Sequence, residues 1–398
     1  MPAGPDRPPV RHLDLGQPAA DPAGGHHPHR RRPRPRRPAG RPGAGQPGGA
    51  GAALGHQHHH LPGAGAQPAR AGAGPAPALS APAAGGASLR CVPAPDVRLQ
   101  PLARGRVASL GEAGQRWLDG LPLLLEELQR RWDVRLEGRG LPGGSASWVG
   151  RAVARDGSPR VVKVAVPGHD LAGEALVLSL AEGRGLVRLH GHDPEADAVL
   201  LEALGRPLGS TRLPPEEKLD HLVAALREVW RLPADRFPVP GPGEDKASGL
   251  TRLVLDTDAR LGHPCPPEVL HRALDHAARR AADHRPDRCV VVHGDPHAGN
   301  ALASDDGGLP YRLIDPDGFL ADPAYDLGVV LRDWTDLGGR PRERLEGACA
   351  RLAEAAGLPA QAVWEWAFLE RVSTALHLLD LGAETLGRRL LDSASALL

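Results

Sequence analysis

The run His293-Gly-Asp-Pro-His-Ala-Gly-Asn300 is followed about 15 residues later by Ile314-Asp-Pro-Asp-Gly318, and the two segments gather carboxylates, an amide and imidazoles. Both follow apolar runs that read as short strands, 289–292 and 311–314. Polar residues at strand ends are held by a rigid element while facing out of it. Gly294 permits the tight backbone such a loop requires. Phosphoryl transfer uses a matching set of parts: a carboxylate beside the attacking hydroxyl, ligands for Mg²⁺, a cation on the ATP phosphates and a backbone cradle. Asp295 suits the first part, orienting an acceptor hydroxyl and taking its proton. Asn300 offers a neutral amide oxygen and Asp315 a carboxylate for the metal, with Asp317 as a second ligand or a substrate contact. Asn300 is the only asparagine among the 398 residues, so this position requires an amide that the rest of the chain avoids.

An isolated Asp in such a loop is ordinarily a turn residue; the combination selects the chemical reading. Asn300 also lies five residues beyond Asp295, the spacing at which a kinase catalytic loop reaches its metal. His293 and His297 are four apart and could be read as zinc ligands, but no His-Glu-x-x-His context or third ligand supports that. They read instead as a loop brace (His293) and a group near the phosphates or the catalytic carboxylate (His297). Lys163 stands inside Val161-Val-Lys-Val-Ala-Val166 and is one of three lysines in a chain whose usual cation is arginine. A charge inside an apolar strand needs a partner; the ATP phosphates and Glu174, on the next predicted helix, would supply it. The alternative is an edge lysine facing solvent. Gly143, Gly144 and Ser145 form a small-residue loop ahead of that strand, where backbone N–H groups could approach phosphate. The backbone of Glu202 and Leu204, between the predicted sheet and the helical part, would meet the adenine edge.

Around these residues the pattern is mixed. A helical stripe runs from Trp117 to Trp132, with Pro122 expected to split it into a short and a longer helix. Runs at 148–154 and 160–166 flank Asp156-Gly157, a hairpin signal. A helix is expected over 173–182 and strands at 186–189 and 198–204. Beyond Gly209 the pattern turns helical: a stripe from Leu219 to Trp230, a loop over 233–249, a helix over 269–282 and helices from about 342 to the end. The fold class is therefore α+β, a small antiparallel sheet followed by a mainly helical part.

Residues 1 to about 104 are a Gly, Pro, Ala and Arg-rich extension with too little apolar surface to offset its ordering entropy, and are expected to be disordered. Its basic tract, Arg30 to Pro38, either meets an anionic partner or is unselected low-complexity sequence. Residues 1–90 hold 11 Arg against 3 Asp, while the remainder holds 37 basic and 45 acidic residues. That mildly acidic remainder suits a cationic small molecule better than nucleic acid, or simply aids solubility. Cys91, Cys265, Cys289 and Cys349 fit neither a zinc pattern nor a disulfide framework and read as reduced cytosolic thiols. No run of 18 apolar residues predicts a membrane span.

The segments 293–300 and 314–327, with Leu331-Arg-Asp-Trp334, resemble the aminoglycoside phosphotransferases, most of all the streptomycin 6-kinase branch that is grouped with hydroxyurea-resistance kinases. Leu141-Pro-Gly-Gly-Ser-Ala-Ser147 and Val162-Lys-Val164 fit the same branch. The resemblance covers about residue 107 to the C-terminus. It implies a two-lobed protein-kinase-like fold, with an N-lobe over 105–204, a C-lobe over 205–398 and ATP between them. By that resemblance Asp295 is the catalytic base, Asn300 and Asp315 hold Mg²⁺, and Lys163 with Glu174 positions the phosphates. It further implies transfer of the ATP γ-phosphate to a hydroxyl of streptomycin, whose guanidinium groups carboxylates can bind. Asp317, Asp322 and Asp333 are the acidic candidates; Asp326 reads rather as a brace of the catalytic loop, and Trp334 as core. Pro296 departs from the family pattern, which usually has another residue there. A kinase of a different hydroxylated metabolite and a catalytically silent binding module are the rival expectations.

Overall fold

The computed structural model describes residues 97–398 apart from 139, 142–145 and 335–337. Gly143, Gly144 and Ser145 lie outside the described residues, as does most of the extension expected to be disordered.

Helices α1 (Pro101–Ser109) and α2 (Glu112–Trp132) lead into strands β1 (Val134–Glu137), β2 (Ser147–Ala154) and β3 (Pro159–Ala165). Helix α3 (Ala172–Ala181) and strands β4 (Leu189–Asp193) and β5 (Ala198–Glu202) follow. The five strands form one antiparallel sheet in the order β1-β2-β3-β5-β4. Alternation along each strand sorts its two faces. Trp148, Val162, Val164 and Leu200 pack with Leu121, Leu125 and Leu128 of α2. Ala165, Val199 and Leu201 pack with Leu171, Val177 and Leu178 around α3. Lys163 lies between Val162 and Val164 and so points to the α3 face.

Two expectations fail in this half. Pro122 does not split α2, which runs unbroken through it. The proline removes one helical hydrogen bond at about 3 kcal/mol, but Leu121, Leu125 and Leu128 seat both halves on the sheet at roughly 1.5–3 kcal/mol each. The strand expected at 186–189 is displaced to β4; Leu186 makes only a single parallel bridge to Leu313. Helix α1 and strand β1 were not anticipated, and α1 begins ahead of the expected boundary at 105.

The second half contains α4 (Pro215–Val229), α5 (Lys246–Arg260), α6 (Pro267–Ala282), β6 (Val290–Val292), β7 (Ala301–Ala303), β8 (Tyr311–Leu313) and β9 (Phe319–Ala321). It closes with α7 (Ala324–Arg332), α8 (Pro341–Ala356), α9 (Ala360–Asp380) and α10 (Glu384–Ser395). Helix α5 starts inside the expected loop because the Asp245 side chain caps it, accepting from Ser248 N at 3.0 Å. Helix α9 is buried along nearly its whole length and carries α6, α7, α8 and α10 around it.

Candidate active site

Two short antiparallel ribbons bring the chemistry together. In the first, Val292 pairs with Phe319, so the loop leaving β6 and the turn entering β9 share one end. There Asp317 N donates to His293 O at 2.8 Å. In the second, Ala301 pairs with Leu313, and Ile314 N donates to Asn300 O at 2.8 Å. Asp295, Asn300, Asp315 and Asp317 are thereby gathered at neighbouring ribbon ends. Asp322 is not. It follows β9 at the opposite end, where Val290 pairs with Ala321. Its carboxylate accepts from Ala324 N (2.9 Å) and Trp366 Nε1 (3.2 Å) and lies 3.6 Å from Arg280.

The loop around Asp295 is held by its own polar groups. Asp326, wholly buried, accepts from His293 N, Gly294 N and Trp230 Nε1, each at 2.9 Å. Burial pushes its carboxyl up to about 6 despite those three donors. Trp230, read from sequence as part of an apolar stripe, thus has a polar task as well. His293 Nδ1 accepts from Asp295 N at 3.2 Å, so Nε2 carries the proton and donates to Ile314 O at 3.0 Å. Both ring nitrogens face backbone groups, and burial pushes the imidazole down to about 4, so it is a neutral brace. His297 Nδ1 accepts from Gly299 N (3.0 Å), leaving Nε2 3.5 Å from Asp295 Oδ2. Asn300 Nδ2 donates to Asp295 O at 3.0 Å and approaches Asp295 Oδ2 at 3.4 Å. Gly294 has φ +93°, and a Cβ there would stand 2.7 Å from Asp317 Oδ2.

Lys163 is 3% exposed. Its ammonium lies 2.5 Å from Glu174 Oε2 and 3.0 Å from Asp315 Oδ1. The edge-strand alternative therefore fails: the lysine joins the sheet, α3 and the Asp315 loop. Burial alone would favour the neutral amine, but Asp315 and Glu174 outweigh it and hold Lys163 protonated above its ordinary range. Asp315 itself has φ +58°, a conformation costly for a non-glycine residue and common where strain serves a site.

The sequence profile of the aminoglycoside/hydroxyurea antibiotic resistance kinases matches residues 131–382. The chain belongs to that family. It is 32% identical over 241 residues to the streptomycin 6-kinase of Streptomyces glaucescens, covering 60% of this chain and 76% of that one. It is 34% identical over 221 residues to the hydroxyurea phosphotransferase of Kitasatospora aureofaciens, covering 54% and 62%. Among solved structures, a thermostable mutant of aminoglycoside phosphotransferase APH(4)-Ia, in ternary complex with AMP-PNP and hygromycin B, superposes with a TM-score of 0.50 at 16% identity, covering 68% of this chain and 96% of that one. The fold is accordingly the two-lobed, protein-kinase-like one, and the chain is a phosphotransferase.

In this kinase the strand β5 leads out of the sheet towards the helices, and its end is partly committed. Glu202 N donates to Arg188 O (3.0 Å), while its carboxylate accepts from Arg188 N (2.7 Å) and Arg312 (2.6 Å). The Glu202 N–H is therefore not left for an adenine edge. Leu204 N–H, by contrast, meets no acceptor among the described residues. Ser147 Oγ and Glu174 Oε1 are buried and likewise lack a hydrogen-bond partner among those residues. These orphaned groups, with the Asn300 and Asp315 oxygens, fit a nucleotide and a hard cation.

Beside the loop a cavity of about 920 Å³ opens between α4, α7 and α8. Ala298, from the loop that carries Asp295, lines it with Asp333, Trp334, Lys218, Arg344 and Arg389. Asp333 is half exposed there. Asp317 sits at the loop itself, where burial and then the Asp295 carboxylate push it up to about 7. Among the described residues no helix is long and apolar enough to cross a membrane.

Proposed function

We propose that this kinase transfers the γ-phosphate of ATP to a hydroxyl of an aminoglycoside, with streptomycin as acceptor and its 6-position as the site. The observation that carries the nucleotide half is the Lys163–Glu174–Asp315 cluster facing the Asp295–Asn300 loop. In this reading Lys163, positioned by Glu174, binds ATP phosphate oxygens. The small-residue loop with Gly143, Gly144 and Ser145 covers those phosphates, and the Glu202 carbonyl and Leu204 N–H meet the adenine. Asn300 and Asp315 hold Mg²⁺, which when bound neutralises charge on the phosphates. Asp295 orients the acceptor hydroxyl and accepts its proton. Asp317 lies beside it as an acceptor contact or a second metal ligand, and Asp333 reaches the acceptor from the adjoining cavity. Asp322 has a structural task, holding Trp366 and Arg280. The ATP requirement and the reduced state of Cys265, Cys289 and Cys349 suit the cytoplasm.

The acceptor half rests on the 32% identity to a streptomycin 6-kinase. A second reading has its own support. The cavity carries Lys218, Arg344, Arg351 and Arg389 against Glu216, Asp333 and Glu343, a lining that favours an acceptor less cationic than streptomycin, and the hydroxyurea phosphotransferase is 34% identical. Mass spectrometry after incubation with Mg-ATP separates the two. A gain of one phosphate on streptomycin, lost in Asp295→Ala, supports the first. A gain on hydroxyurea with none on streptomycin replaces it with the second. The Asp295→Ala variant should keep its nucleotide affinity while turnover falls by about 10²–10⁴-fold.

A further inference from the structure

Arg332 is the last residue of α7, a helix buried throughout. Its side chain is 0% exposed, and its guanidinium donates to Asp295 Oδ1 at 2.5 Å. A charge so deep needs strong compensation. Asp295 is the foremost of its counter-charges, followed by Asp333, Glu370 of α9 and Tyr325. The backbone that carries Arg332 is itself clamped. Arg371 of α9 donates to Leu331 O at 3.0 Å and to Trp334 O at 2.8 Å, on either side of Arg332. Further up α7, a Cβ on Gly328 would stand 2.4 Å from Trp366 Cβ, so the two helices are packed at glycine distance. A continuous set of contacts therefore runs from α9 through the end of α7 to one oxygen of the Asp295 carboxylate. The other oxygen, Oδ2, takes the longer approaches of Asn300 and His297 at 3.4 and 3.5 Å.

We infer that Arg332 is a positioning residue for the acceptor step: by fixing Asp295 Oδ1 it turns Oδ2 towards the acceptor hydroxyl. The inference rests on the reading above in which Asp295 receives the acceptor proton. In that step the hydroxyl O–H bond breaks and its proton passes to Oδ2, the acceptor oxygen forms a bond to the γ-phosphorus, and the bond to the ADP oxygen breaks with its electron pair leaving on ADP. A guanidinium beside the carboxylate makes it a weaker base, so Arg332 is of use only if aim outweighs base strength. Phosphoryl transfer through a loose transition state meets that condition, because little proton transfer has occurred when the phosphorus is in flight. Aim is also what a rigid, planar guanidinium supplies better than the flexible ammonium of a lysine.

The test compares Arg332→Met, Arg332→Lys and Arg332→Gly with wild type and Asp295→Ala, on whichever acceptor the wild type phosphorylates, water included. Turnover, the KM for ATP, direct binding of a fluorescent ATP analogue and the melting temperature are read together. Expected is a loss of kcat of about 100-fold in Arg332→Met, with ATP affinity and KM changed only a few-fold, and partial recovery in Arg332→Lys. Dilute guanidinium should restore turnover to Arg332→Gly. Should Arg332→Met fail to fold, the lysine variant and the guanidinium rescue carry the comparison. Undiminished kcat in Arg332→Met overturns the inference, as does a loss shared by kcat and nucleotide affinity that neither lysine nor guanidinium repairs. Retained turnover in Asp295→Ala instead overturns the underlying reading of Asp295.

Discussion

At the level of single residues the site is a set of carboxylates made different by their surroundings. Asp326 spends both oxygens on backbone and indole donors, Asp322 gives one to Ala324 N and the other to Trp366 and Arg280, and Asp295 gives Oδ1 to Arg332. By residue type they are alike; the partners that each meets come from the folded surroundings. Gly294 has little freedom to change. Its φ of +93° and the 2.7 Å approach of Asp317 exclude a side chain. Gly294→Ala should destabilise the protein by about 1–3 kcal/mol and lower turnover further than stability alone explains, because the methyl displaces Asp317 from the loop. Urea unfolding and ADP release, measured side by side, check both parts.

At the level of elements, α2 shows a local rule outweighed by packing. Pro122 removes a helical hydrogen bond, yet the apolar stripe on either side is continuous and buried. Replacing that proline should therefore relieve a cost without disturbing the site. Pro122→Ala is expected to raise stability by about 1–3 kcal/mol and leave turnover unchanged; thermal unfolding and a steady-state assay decide it. The short strands β7 and β9 are three residues each, too short for a period-two pattern to register. Their pairing with β8 and β6 is nevertheless what sets Asn300 against Asp315 and Asp317 against His293.

For the whole molecule, acid stability depends on a histidine remote from the loop. His276 of α6 is 2% exposed and packs edge-on against Phe368, with Glu365 at 3.9 Å and Arg272, Asp275 and Arg279 around it. Burial pushes its imidazole down from 6.5 to about 4. Unfolded, the ring takes up its proton near 6.5; folded, it does so only near 4. Between those values the unfolded chain binds more protons, so stability should fall as pH drops from 6.5 to 4, by up to about 3 kcal/mol from this residue. Denaturant titrations across that range should show a shallower decline in His276→Leu. The N-terminal extension is the other whole-chain question. Leu99 is buried against the sheet and Gln100 donates to Leu141 O at 2.9 Å, so a truncation should stop at residue 96. Removing residues 1–96 is expected to leave kcat and melting temperature unchanged, and a large loss of either would give the basic tract a role in the folded protein.

The sequence alone determined the chemistry. A lone asparagine five residues beyond an aspartate, a lysine inside an apolar strand and an Ile-Asp after a second strand carry their meaning in residue type and spacing, and the match over residues 131–382 agrees with it. Local periodicity likewise sufficed for the β2–β3 hairpin, α3 and the apolar face of α4. Which acidic side chains stand together was decided only by tertiary structure. Asp322 and Asp317 lie five residues apart in the chain but at opposite ends of a ribbon whose register is set by long-range pairing. Arg332 enters the sequence reading only as a member of the Leu331–Trp334 motif, and its contact with Asp295 appears only in the folded protein. Burial and partner atoms are properties of elements distant in sequence, so no local pattern holds that information.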